Sequence, residues 1–283
     1  IEEIEDLTNF IAQSSQHSIQ KETFYCLENK YMQVVFSNKG GAIAELNLKL
    51  HSQNNPSSPI LPVRLDKQIT ATSPENNLFP LNKCFTSDSS SQRSYMKQIE
   101  GGFTPLLRRN LINNDGSIEF KVPANHYALA LTSKESSQVN TFDVVKFSKS
   151  MIQFKGKIEG KEVTRTYKII ENAPYTLEMK NAINGSIDEL MISSGIPEAE
   201  VNSGGSGPAF LYYYYNGSKM KLASLSTPKT STSEQNISPS WTANTNGFFA
   251  TILHPSKNPG KGIFVNKIEG KNCPSRVSLL SID

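Results

Sequence analysis

Alternation of apolar and polar residues with a period of two is the strongest constraint on this 283-residue chain. In residues 42–50 ("AIAELNLKL") the even positions Ala42, Ala44, Leu46, Leu48 and Leu50 are apolar, and Glu45, Asn47 and Lys49 take most of the odd ones. Successive side chains of a strand point to opposite faces, so the pattern predicts a half-buried strand. Just upstream, residues 31–36 ("YMQVVF") are rich in aromatic and branched side chains, which favour strands. Residues 37–41 then read as a hairpin turn in which Gly40 and Gly41 supply the positive φ that such a turn requires.

The same pattern recurs downstream. Residues 175–183 place Tyr175, Leu177, Met179 and Ile183 on one side, against Thr176, Glu178, Lys180 and Ala182. Residues 163–169 set Val163, Tyr167 and Ile169 against Thr164, Thr166 and Lys168, with Arg165 interrupting the apolar side. The two read as antiparallel neighbours turning at 171–174. Further strands are expected at 117–122, 126–132, 142–147, 152–158, 191–194, 210–215, 219–223, 248–253 and 262–267. Alternating α/β units are absent, and long polar loops are expected at 51–59, 86–93 and 224–240. The expectation is an all-β chain of two large, mostly antiparallel sheets packed face to face, with minor helix.

That helix is expected at the start. Ile4, Leu7, Phe10 and Ile11 fall at helical spacing behind the acids Glu2, Glu3, Glu5 and Asp6, and a polar stretch follows. Residues 1–21 therefore read as a helical tether, and 22–283 as one domain, with a two-domain split near residue 100 as the alternative. Net charge is +3 with 19% charged residues, the basic ones dispersed, which argues against nucleic acid as partner. No window approaches the roughly 18 apolar residues of a membrane span. Cys26, Cys84 and Cys273 form neither a zinc pattern nor a CxxC motif, and they read as free thiols.

Catalytic motifs fail on inspection. In "NSGGSGPAF" (202–210) no lysine follows Gly207 as a phosphate loop needs, and Pro208 stands where a nucleophile elbow needs glycine. His17, His51, His126 and His254 are isolated, without metal-ligand spacing, and nothing nominates a cofactor. The run "FLYYYYNG" (210–217) puts Tyr212, Tyr213, Tyr214 and Tyr215 in one strand. Alternate tyrosines must face opposite ways, so one pair can enter a core while the other decorates a surface or cleft. These four are the candidate partner or ligand site. Trp241 is expected to pack against the strand of Phe248 and Phe249 and to act structurally, as are Gly40 and Gly41.

Three tracts carry a resemblance. "SWTANTNGFFATILHP" (240–255), residues 39–50 with their glycine pair and alternating strand, and "EVTRTYKIIENAPYTLEMKNAINGS" (162–186) together resemble the large periplasmic domain of Gram-negative YidC membrane-protein insertases. Gly247 departs from that pattern, standing where the family carries a larger residue. The resemblance implies a β-supersandwich of galactose-mutarotase-like architecture, without catalysis. It also implies a place on the periplasmic face of the bacterial inner membrane, tethered to it, with Sec translocon subunits and nascent membrane proteins as partners. The competing class is a carbohydrate-binding or aldose-epimerase-like protein, which needs a histidine and a glutamate converging in a polar cleft.

Overall fold

The computed structural model describes residues 21–61, 83–88, 93–94, 102–107, 110–112, 118–133, 138–187, 189–198, 209–225, 232–257, 260–266 and 277–282. The expected tether helix, the 202–208 glycine-rich stretch and Cys273 lie outside these residues, Lys21 excepted. The described chain is all-β, with one short 3-10 turn at Ala124–His126. That turn falls where a strand over 126–132 was expected, and the strand itself is confined to Leu131–Thr132. No helix among the described residues is long and apolar enough to cross a membrane.

The strands form sheets of six, four, five, four and two. Among the described strands, Phe24–Glu28 with Lys83–Phe85 is the one parallel pairing; the rest are antiparallel. One buried cluster draws on four of the sheets. Val34 and Phe36 come from the first, Phe154 and Tyr167 from the second, Ile192 and Val265 from the third, Phe210 and Tyr212 from the fourth. A smaller cluster holds Cys26 and Cys84 with Val35 and Phe103. The hydrogen bond with Cys84, together with burial, pushes the Cys26 thiol well above its usual range.

The strand Ala42–Lys49 is buried on both faces, not one. Its register against Met32–Ser37 runs Leu48 to Met32 and Leu46 to Val34, then slips, so that Ile43 and not Ala44 meets Phe36. One extra residue at a bulge inverts the side-chain parity beyond it. Ile43 therefore joins Leu46 and Leu48 in the main core, whereas Ala42 and Ala44 face the other way, against Tyr127, Ala130 and Ile196. The sequence pattern put all five even residues on one side; the bulge divides them.

The turn before this strand is a junction. Gly40 and Gly41 have φ of +69° and +53°. A Cβ on Gly40 would lie 2.5 Å from Val139 Cγ1, and one on Gly41 2.9 Å from Phe154 Cγ. Both glycines thus answer a backbone requirement and a lack of space. Their carbonyls are held by the second sheet: Tyr167 Oη donates to Gly41 O at 2.6 Å, and the Arg165 guanidinium donates to Gly40 O.

Arg165 is the residue the alternation pattern treated as an interruption. It is fully buried on the same face of Lys161–Ile169 as Val163 and Tyr167. Besides Gly40 O, it donates to Leu129 O and, through Nε at 3.1 Å, to Asn181 Oδ1. Its guanidinium also sits 5.5 Å from the Tyr167 ring centroid. A buried cation is tolerated when its donors are satisfied, and a planar fork can reach three acceptors at once. Burial pulls the Arg165 pKa down, opposed by Tyr167.

Candidate functional site: an outward aromatic sheet face

The tyrosine run lies in Ala209–Tyr215, flanked by Met220–Leu225 on one side and Pro239–Thr245 on the other, with Ala250–Leu253 beyond. The hairpin to Met220 closes through Asn216, whose Oδ1 accepts from Ser218 N and Lys219 N. The turn before Ala250 closes likewise on Asn246 Oδ1, which accepts from Phe248 N and Phe249 N, with Gly247 at φ +105°. Such side-chain turns explain why asparagine stands at both corners.

Alternation then sorts the tyrosines. Phe210, Tyr212 and Tyr214 form an inward ladder, with centroids 6.2 Å and 5.3 Å apart, and pack on the main core. Tyr212 and Tyr214 are therefore spent on packing, which leaves Tyr213 and Tyr215 for surface contact. Partners in register share a face. Tyr213 pairs with both Leu222 and Trp241, Tyr215 with Met220, and Leu211 with Ala243, which in turn pairs with Ile252. The result is a continuous outward face of aromatic and aliphatic side chains. Tyr215 is 58% exposed, Leu222 59% and Ile252 66%.

Trp241 stacks on Tyr213 with centroids 5.7 Å apart and planes 18° apart. It is half-buried on this outward face. Phe248, in the turn, is 50% exposed, whereas Phe249 packs against the core. The strand Pro239–Thr245 was missed in the sequence, because its inward residues Thr242 and Asn244 are polar. Asn244 is buried and donates to Gly195 O at 2.8 Å and Ser194 Oγ at 2.9 Å. Its polarity is internal satisfaction, not exposure. The tryptophan was the one signal that could have marked a strand there.

An open pocket of about 450 Å³ lies elsewhere, lined by Glu22, Lys39, Lys121, Tyr127 and Val139 among others. The Glu22 carboxylate accepts from Ser37 Oγ at 2.7 Å and from Tyr127 Oη at 3.0 Å. Burial, and then the nearby Glu22 charge, raise the Tyr127 phenol far above its usual range, so it remains a donor. Neither His126 nor His254 lines this pocket. Burial lowers the His126 pKa, and His254 is exposed. Among the described residues no group of His, Cys, Asp and Glu could hold a metal.

No family model matches the chain. Among solved structures, a galactose mutarotase-like protein from Lactobacillus casei superposes with a TM-score of 0.45 at 11% identity, covering 92% of this chain and 87% of that one. A putative aldose 1-epimerase from Escherichia coli K12 gives 0.44 at 9%, covering 93% and 88%. At such identities no residue correspondence follows. In sequence, the chain is 32% identical over 265 residues to the membrane protein insertase YidC of Chlamydia trachomatis serovar D, and 28% identical over 264 residues to that of Chlamydia caviae. Each match covers 91% of this chain and 32% of the relative, so the chain spans about a third of the length of the curated relatives it matches. Identity at that level, sustained along nine-tenths of the sequence, makes this chain a YidC-type domain.

Proposed function

We propose that the chain is a non-catalytic periplasmic domain of a YidC-type insertase, with residues 22–283 acting as one domain behind an N-terminal tether over 1–21. In this reading it assists insertion and folding of inner-membrane proteins by taking extended, partly apolar client segments and by contacting the Sec translocon. The observation that carries the reading is the aromatic sheet's pair of edge strands. Among the described strands, Met220–Leu225 and Ala250–Leu253 each have a neighbour on one side only, and they expose apolar side chains at Leu222 and Ile252 respectively. An unpaired strand edge offers backbone donors and acceptors to any extended segment, which gives affinity with little sequence specificity. Such generality suits a protein that handles many clients. Binding by the isolated chain is on the order of micromolar or weaker, because attachment to the membrane supplies a high effective concentration.

A photo-crosslinker at Lys221 or Ala250, in the full-length membrane protein, tests this directly. The expected products are nascent membrane-protein segments and translocon subunits, at yields well above those from Lys155, an exposed position on a strand of a different sheet that is paired on both sides. Equal yields from all three positions would refute edge capture. Tight, specific sugar binding or anomer interconversion that is lost on changing His126 or His254 would refute the non-catalytic reading and place the chain in carbohydrate chemistry.

A further inference from the structure

The outward face has a charge asymmetry as well as an apolar surface. Residues 209–225 and 236–257, which include all four strands of the sheet and both of its hairpin turns, contain no aspartate or glutamate. They do contain Lys219, Lys221 and Lys257. Register brings two of these lysines to the end of the sheet that bears the tryptophan. Lys219 lies in the hairpin joining Tyr215 to Met220, and Tyr214 pairs with Pro239, two residues from Trp241. Lys257 follows Leu253, whose partner Thr242 is next to Trp241. One end of the face thus gathers Tyr213, Tyr215, Trp241, Met220 and cationic side chains, with Leu222 and Ile252 exposed beside them.

We propose that this face docks on an anionic phospholipid surface. Tyrosine and tryptophan suit the headgroup level, where an apolar ring body and a polar tip are both accommodated. Leu222 and Ile252 enter the acyl boundary, and Lys219 and Lys257 meet lipid phosphates. A client segment would not select for the absence of acids along this length of chain, whereas a negatively charged surface would repel each one. The proposal concerns the face of the sheet and goes beyond client pairing at its edges, so either can fail without the other.

The test is co-sedimentation of the 283-residue chain with vesicles of phosphatidylglycerol and phosphatidylcholine in equal parts, and with phosphatidylcholine alone. The chain is expected to bind the anionic vesicles preferentially, and less as salt rises. Trp241 is the sole tryptophan, so its emission reports the face directly: it should shift to the blue on binding and be quenched by acyl-brominated lipid. Leu222→Glu and Ile252→Glu should each weaken binding on the order of tenfold or more while melting with the parent, since both side chains are exposed. Lys219→Ala and Lys257→Ala should each weaken it several-fold and flatten the salt dependence. Val145→Glu, on another sheet, should leave binding unchanged.

Equal binding to both vesicle types, binding without a change in Trp241 emission, or a Leu222→Glu variant that binds like the parent would each overturn the proposal. So would a lipid-independent dimer that Leu222→Glu dissolves, because the face would then belong to a second copy of the chain.

Discussion

Replacing Gly41 by alanine separates the two reasons for a glycine at this turn. Its φ of +53° places an alanine in the left-handed region, at roughly 1–2 kcal/mol. The added Cβ would also lie 2.9, 3.0 and 3.2 Å from Phe154 Cγ, Cβ and Cδ2. Phe154 cannot retreat, because it is fully buried with the rings of Phe36 and Tyr167 at 6.0 and 6.2 Å. Overpacking of this kind adds about 1–3 kcal/mol, for a total of about 2–5 kcal/mol. Gly160 is the control: its φ is +75°, but nothing lies within 4 Å of its Cβ position. Gly160→Ala therefore carries the backbone term alone, and both variants regain about 0.4–1 kcal/mol through loss of unfolded-state freedom. In thermal unfolding followed by circular dichroism, Gly41→Ala should melt on the order of 5–10 °C below the parent and Gly160→Ala only a few degrees below. Equal melting of the two variants would show that the Phe154 contact has no energetic consequence, and the argument for a crowded junction would fall.

Two further outcomes follow from the same junction. Arg165→Lys should destabilise nearly as much as Arg165→Met, by about 3–5 kcal/mol in denaturant unfolding, since an ammonium cannot span Gly40 O, Leu129 O and Asn181 Oδ1 and each lost acceptor is left buried; a lysine variant as stable as the parent would refute the role of the fork. Burial raises the Tyr167 phenol from 10.0 to about 12, so the folded chain keeps a proton that the unfolded chain has lost. The stabilisation is complete below pH 10 and declines as pH rises through 12, by roughly 3 kcal/mol in all. Urea unfolding at about pH 9 and about pH 11.5 should show this loss, smaller in Tyr167→Phe, and an identical loss in that variant would assign the alkaline limb to other groups.

Several features of the molecule were legible in the sequence because they depend on local geometry. A period of two is a property of extended backbone, so the strands at Met151–Ile158, Lys161–Ile169 and Leu177–Ile183 could be read without knowing what they pack against. Glycine pairs mark positive φ for an equally local reason, and Gly40 and Gly41 show it. The opposed facing of Tyr212 and Tyr213 was also implicit, although not which of them faced inward.

What needed the tertiary structure were the features set by partners distant in the chain. The bulge that sends Ala42 and Ala44 away from Leu46 comes from the pairing with Met32–Ser37, and no composition rule anticipates it. Arg165 looked like a break in an apolar face because its charge is paid for by carbonyls 125 and 36 residues away. The strand Pro239–Thr245 was hidden because the groups that satisfy Asn244 lie about 50 residues off. The outward face is likewise a product of register: Tyr213, Leu222, Trp241 and Ile252 are scattered over forty positions, and only the alignment of four strands makes them one surface. Backbone geometry is written residue by residue, whereas burial and juxtaposition depend on which strand lies beside which, and that is decided by the fold as a whole.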